Sequence, residues 1–240
     1  MLLYGDLVPW YELVDPVEDH ADEADCYRAA FERAGAPRTG TLLELGAGAG
    51  NNAFYLKRFF RSTLSDVSPR MLELSRAQNP DCEHLVGDMR SLRLGRSFDV
   101  VLVHDAVMYM TSEPDLEASM RTAFLHTRPG GAAIFAPDCV AETLRETTEV
   151  IAGDAPARSL RGLMWSWDPD PTDTSFAVEF VFLLRDGGQV TTVHDRHVEG
   201  VFSRTTWLEL LNGAGYSAEI IERPLGDGKV DEIFLCRRPA

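Results

Sequence analysis

The run Glu44-Leu45-Gly46-Ala47-Gly48-Ala49-Gly50 constrains this 240-residue chain more than any other stretch. It follows a short apolar strand predicted over 41–45 and precedes a helix predicted from about 52 to 60. Small residues between a strand and a helix let backbone approach a ligand and leave the first N–H groups of the helix pointing at it. A dinucleotide-binding fingerprint is not met, because its third small residue is due at position 51, which is Asn51. A nucleoside-triphosphate loop is not met either, since no Gly-Lys-Ser/Thr follows.

Around this loop the chain alternates. A helix is predicted over 20–36, where Ala21, Ala24, Tyr27, Ala30 and Phe31 recur at three- and four-residue spacing. Strands are predicted at 62–66, 84–86, 98–104 and 132–136. A helix opened by Ser68-Pro69 and another over 113–128 lie between them. This order predicts an α/β fold with a doubly wound, mostly parallel sheet. After Pro137 the rhythm changes to a helix predicted over 140–152 and three antiparallel β-like runs at 159–168, 175–185 and 190–199. A helix over 205–214 and a strand pair at 217–223 and 232–237 close the chain. The division expected is one α/β domain of residues 1–137 and 202–240, with a β-rich insert of residues 138–201. Ligands of such sheets bind beyond the carboxyl ends of the strands, so an insert leaving the fifth strand is placed to shape a substrate pocket.

Charge narrows the partners. Thirty-eight acidic residues against 23 basic ones give a net −15, which repels polyphosphate, and no Lys/Arg cluster offers a local exception. Nucleic acid and anionic membrane are therefore not expected as partners. No apolar run approaches the ~20 residues of a membrane span, and Met1-Leu2-Leu3-Tyr4-Gly5-Asp6 does not read as a signal peptide, so a cytoplasmic location is expected. Cys26, Cys82, Cys139 and Cys236 are far apart, without a C-x-x-C pair, and predict neither disulfides nor a metal site.

The acids that matter stand at strand ends. Asp66 lies twenty residues past Gly46, where a carboxylate can accept both hydroxyls of a ribose. Asp88 follows the third strand, placed to accept from an adenine amino group with Met89 against the ring, and Glu44 precedes the loop, able to hold an amino group. Three carboxylates at three strand ends suit a cationic, ribose-bearing ligand without phosphates.

With these segments in this order, the chain resembles the class I S-adenosylmethionine-dependent methyltransferases. The resemblance is carried by 43–50, by Ser65-Asp66-Val67-Ser68-Pro69-Arg70-Met71-Leu72, by Val86-Gly87-Asp88-Met89-Arg90, by Phe98-Asp99-Val100-Val101 and by Arg128-Pro129-Gly130-Gly131. It implies a seven-stranded sheet and S-adenosylmethionine as cofactor. Its cofactor-binding set is Glu44, Gly46, Ala47, Gly48, Asn51, Asp66, Val67, Met71, Gly87, Asp88, Met89, His104, Asp105 and Tyr109. Trp10-Tyr11-Glu12-Leu13-Val14-Asp15, the insert, and Phe202-Ser203-Arg204-Thr205-Thr206-Trp207 resemble the small-molecule branch that holds the aminosugar N,N-dimethyltransferases and glycine N-methyltransferase. That likeness implies a tyrosine of the N-terminal segment, here Tyr11, closing over the cofactor.

The expected reaction is methyl transfer to a nitrogen or oxygen of a small-molecule acceptor, possible in secondary metabolism, by a chain that can act as a homodimer. The alternative is a regulatory or accessory protein that binds S-adenosylmethionine without catalysis. Displacement at a methyl group is mostly positioning, and a hydroxyl or ammonium acceptor also needs a base, most readily His. The candidates are His104, at the end of the fourth strand, and His197. Alternation along 193–199 puts His194, Arg196 and Val198 on one face and Asp195, His197 and Glu199 on the other, with either face open to the pocket.

Overall fold

Strand β1 (Gly40–Leu45) is apolar on both sides, with Leu42, Leu43 and Leu45 fully buried, as a central parallel strand covered on both faces must be. In this computed structural model, which describes residues 1–224 and 230–240, β1 lies between β2 (Phe60–Asp66) and β4 (Phe98–His104). With β3 (Glu83–Val86), β5 (Thr127–Ala136), β10 (Ser217–Pro224) and β11 (Val230–Arg237) it forms a seven-stranded sheet in the order β10-β11-β5-β4-β1-β2-β3. The first five strands run parallel, and β11 runs antiparallel to both β5 and β10, so the predicted doubly wound sheet with its terminal antiparallel pair is what the chain forms.

Alternate residues of the same strands build two cores. On one face Leu42, Val100 and Ile134 pack with Tyr27 and Phe31 of α1 (Ala21–Arg33) and Leu56 of α2 (Asn51–Leu56). On the other, Leu43, Val101 and Phe135 pack with Met120 of α4 (Glu113–His126) and Trp207 and Leu211 of α5 (Arg204–Ala214). Serine caps start the helices, Ser68 as expected and Ser112 and Ser203 besides: each accepts an N–H three residues on, opening α3 (Pro69–Gln78), α4 and α5. The strand order reverses between β1 and β4, and the carboxyl ends of these two strands open a crevice.

A second sheet stands apart in sequence. Strands β6 (Thr147–Ala155), β7 (Arg158–Trp167), β8 (Ser175–Asp186) and β9 (Gln189–Gly200) run antiparallel in chain order. The helix predicted over 140–152 is not formed: residues 140–146 hold turns, and 147–155 pair along their length with β7. Threonine, valine and isoleucine at 147, 148, 150 and 151 favour the pleated edge, and pairing with β7 overrides the helix formers just upstream. The inner face of this sheet, with Phe176, Val178, Phe180, Phe182 and Leu184, packs on Leu3, Leu7 and Met108. Gly153 lies where a side chain would strike the backbone of Leu13, so the N-terminal segment sits directly on β6. Trp165 and Trp167 stack on the outer face, away from the crevice. All four cysteines are free thiols, and among the described residues no helix is long and apolar enough to cross a membrane.

Candidate active site

The glycine loop after β1 turns tightly into α2. Gly46 has φ +77°, and a side chain there would meet Met89 Cε at 2.8 Å and press on Ala106. Both reasons require glycine. The loop is tied to β2 through Asp66, whose Oδ2 accepts Gly48 N–H at 2.9 Å and whose Oδ1 accepts Ser68 N–H at 2.8 Å. Burial pushes the Asp66 carboxyl up, and the N–H groups of Ser68, Gly48 and Val67 work against that shift.

Between this loop and the N-terminal segment lies a cavity of about 410 Å³. Every residue of the expected cofactor set lines it: Glu44, Gly46, Ala47, Gly48, Asn51, Asp66, Val67, Met71, Gly87, Asp88, Met89, His104, Asp105 and Tyr109, together with Tyr11. His197 does not. It lies behind Tyr109 and is 1% exposed, so the expectation that it acts on the acceptor directly is corrected: a second ring stands between it and the cavity. Of the two faces left open on β9, the one carrying Asp195, His197 and Glu199 points inward, while His194 pairs with Glu179 outside.

Glu44 is buried at the end of β1, and its Oε2 has no hydrogen-bond partner. Burial pushes its carboxyl up to about 7, against the pull of His104 and His20. An orphaned buried acceptor facing a cavity calls for a donor from the ligand. Asp88 is held low by Arg90, whose guanidinium makes three hydrogen bonds to its two oxygens and whose backbone N–H makes a fourth. His126 and Asp99 are structural: His126 accepts Leu94 N–H, and Asp99 accepts from Thr41 and pairs with Arg128.

A network that the sequence did not announce surrounds His104. Its Nε2 is 2.6 Å from Asp105 Oδ1 and 3.1 Å from Glu23 Oε1, and its Nδ1 is 3.2 Å from Asn52 Nδ2. Burial opposes the charged ring, but Asp105, Asp138 and Glu44 prevail and push His104 up to about 9. Glu23 also meets His20 and the guanidinium of Arg223. Tyr11 donates to Asp15 Oδ2 at 2.8 Å, and Asp15 pairs with His20 at 2.8 Å. The one available signal was that Glu23 and Tyr27 share a face of α1 at i, i+4, next to the crevice.

Asp105 has φ +40°, the one described non-glycine residue with positive φ. Its side chain is 54% accessible although protein encloses it, because the cavity is what it faces. Asp138, which follows β5, lies beside it, and the two carboxyls shift each other's titration. Two bare charges about 4 Å apart repel by roughly 4 kcal/mol at an effective dielectric constant near 20, so one carboxyl keeps its proton. That one is Asp138, raised well above the carboxylate range by burial and by Asp105. Asp105 is lowered, since the pull of His104 outweighs its own burial. Glu199 adds a third acid, pushed up to about 7 by burial and by the charge of Asp105.

Residues 42–131 match the family described as a methyltransferase domain. That match runs from β1 through the glycine loop to the middle of β5, and the β-rich insert and terminal strands complete the chain around it. The chain is 27% identical over 215 residues, 88% of its length and 90% of the relative's, to dTDP-3-amino-3,4,6-trideoxy-alpha-D-glucopyranose N,N-dimethyltransferase of Streptomyces venezuelae. Among solved structures it is similar to Streptomyces venezuelae DesVI, with TM-score 0.85, 24% identity and coverage of 99% of this chain and 98% of that one. It is also similar to CalS10, an amino pentose methyltransferase from Micromonospora echinaspora solved with S-adenosylmethionine bound. There the TM-score is 0.79, the identity 22% and the coverage 91% of each chain.

Proposed function

We propose that the protein transfers a methyl group from S-adenosylmethionine to the nitrogen of a small-molecule amine, an amino sugar being the class its relatives suggest. The cavity fits the cofactor: Glu44 offers its unpartnered oxygen to an amino group, the loop at Gly46 and Gly48 takes the methionine end, Asp66 a ribose, and Asp88 with Met89 an adenine. Bound there, S-adenosylmethionine supplies a methyl group activated by a sulfonium.

The observation that carries the nitrogen reading is Asp105, which lines the cavity at the end of β4 with the carboxyls of Asp138 and Glu199 near it. Carboxyls sharing a proton in an enclosed site favour a cation over an alcohol, because an ammonium relieves their mutual repulsion. A bound ammonium must lose its proton before nitrogen attacks, and Asp105, the member of this group that lines the cavity, is placed to receive it, with Glu199 buried behind it. His104, held protonated between Asp105 and Glu23, supports a role as the cationic partner of Asp105 and not as the base. Tyr11, hydrogen-bonded to Asp15, supports a roof over the cofactor.

The test is product mass after incubation of the protein with S-adenosylmethionine and a panel of amino sugars, other small amines and matching alcohols. Amines gain 14 or 28 mass units and alcohols none. Asp105→Asn is expected to lower kcat/KM for the amine at least about thirtyfold, well beyond any loss of affinity for S-adenosylhomocysteine. Methylation of alcohols alone overturns the nitrogen reading.

The outer face of the insert supports a homodimer. Val150, Leu163 and Val181 adjoin across β6, β7 and β8 and are 81%, 41% and 41% exposed, an apolar stripe that self-association would cover.

A further inference from the structure

The N-terminal segment and the insert meet above the cavity through one continuous line of polar atoms. Tyr4 and Tyr109 both line the cavity, with ring centroids 5.8 Å apart edge to face and hydroxyl oxygens at 2.9 Å. The Tyr109 oxygen is also 2.9 Å from Nδ1 of His197. On the other side of that ring, Nε2 is 3.0 Å from Asp195 Oδ2, the oxygen that accepts Leu3 N–H at 2.8 Å. Phe180 and Tyr4 pack against the buried imidazole at 4.9 and 5.5 Å between centroids.

With His197 neutral this line has one consistent set of proton positions. Leu3 N–H and His197 outweigh burial and keep Asp195 an anion, so Nε2 carries the ring proton and Nδ1 is a bare lone pair. Tyr109 then donates to Nδ1. The Tyr109 oxygen is left to accept, and Tyr4 donates to it. With its own proton committed, the Tyr4 oxygen offers the cavity lone pairs alone. A proton on Nδ1 reverses the bonds from His197 to Tyr109 and from Tyr109 to Tyr4, leaves those to Asp195 as they are, and turns a free Tyr4 O–H toward the cavity. The groups facing His197 are Leu3, Tyr4 and the terminal amine from the N-terminal segment, Tyr109 from the turn after β4, Phe180 of β8 and Asp195 of β9. Burial and the terminal amine keep the ring below its ordinary value against Asp195, which maintains the first arrangement at neutral pH.

We propose that His197 is a positioning residue that, through Tyr109, sets the Tyr4 hydroxyl as a hydrogen-bond acceptor at the cavity roof, where it takes an N–H of the acceptor amine. This role rests on the amine reading above. An attacking amine needs its lone pair along the axis of the bond to be broken, so its N–H groups must be held to the side. Tyr4 from the roof and Asp105 from the end of β4 are two acceptors that do so.

The experiment compares kcat, KM for the amine and calorimetric affinity for S-adenosylhomocysteine in wild type, His197→Asn, His197→Gln and Tyr109→Phe. Asparagine puts a carbonyl oxygen in the place of Nδ1 and accepts from Tyr109, whereas glutamine reaches toward Asp195 and leaves Tyr109 without an acceptor. His197→Gln is expected to lower kcat about tenfold with cofactor affinity unchanged, Tyr109→Phe to lower kcat as much, and His197→Asn to stay within about threefold. Wild type is also expected to lose kcat as pH falls below the ordinary histidine range, a limb that His197→Asn lacks. Equal losses in the Asn and Gln variants, or full activity in the Gln variant of an active wild type, overturn the role. A wild type that binds S-adenosylhomocysteine but methylates no amine overturns the amine reading and this role with it. Should both His197 variants fail to fold, Tyr4→Phe carries the test: a loss of kcat like that of Tyr109→Phe supports the role, and wild-type kcat overturns it.

Discussion

The floor and the roof of the cavity are held by different kinds of bond. On the floor, Asp66 accepts from the backbone of Gly48 and Ser68, so a short motif carries its own partners. On the roof and along the edge of β4, side chains meet side chains across the chain: Tyr109 with His197, Glu23 with Arg223, Asp105 with Asp138. A backbone partner requires only that a loop have the right shape, so it leaves a spacing that can be read. A side-chain partner 88 or 200 residues away leaves none. The floor suits a ligand shared by many proteins, and the roof suits one particular to this chain.

Three measurements put this contrast at risk. The largest effect is expected from Asp66→Ala, which removes both backbone anchors of the loop along with the ribose acceptor. S-adenosylhomocysteine affinity by calorimetry should fall about a hundredfold or more, and retained affinity would mean that the floor does not depend on Asp66. Next comes Glu44, whose carboxyl titrates near 7. Because the ionised form attracts the cofactor's ammonium, affinity should weaken as pH falls below about 7, by up to tenfold per unit. Glu44→Gln should flatten that slope, and an unchanged slope would assign the titration elsewhere. The smallest effect on turnover is expected from Val181→Asp on the outer face of the insert. Sedimentation should show a shift from dimer to monomer with kcat unchanged, and a wild-type monomer would remove the proposed self-association.

The same contrast explains what the sequence disclosed. Strand ends, the Ser68 cap and the glycine loop were legible because each rests on neighbours within a few residues, and the residues that the resemblance assigned to a cofactor, from Glu44 to Tyr109, line one cavity. Glu23, Asp138 and Glu199 were not, since alone each reads as a solvated acid and acquires meaning only when β4, β5 and β9 converge. His197 was recognised as a candidate but misjudged in depth: alternation gives the face of a strand, not the presence of Tyr109 in front of it. Strand β6 was taken for a helix because Glu142, Leu144, Arg145 and Glu146 are helix formers, and only the partner strand decides otherwise.

The position of β11 between β5 and β10 has a consequence for synthesis on the ribosome. Strands β1 to β5 and the cofactor floor are complete in sequence once residue 136 has emerged, whereas β11 joins β5 only after a further hundred residues. Leu3 and Tyr4, which precede β1 in the chain, find Asp195 and the buried His197 behind Tyr109 only when β9 exists. A segment that precedes the whole sheet in the chain is thus among the last to reach its place, and the floor of the cavity is complete in sequence well before its roof.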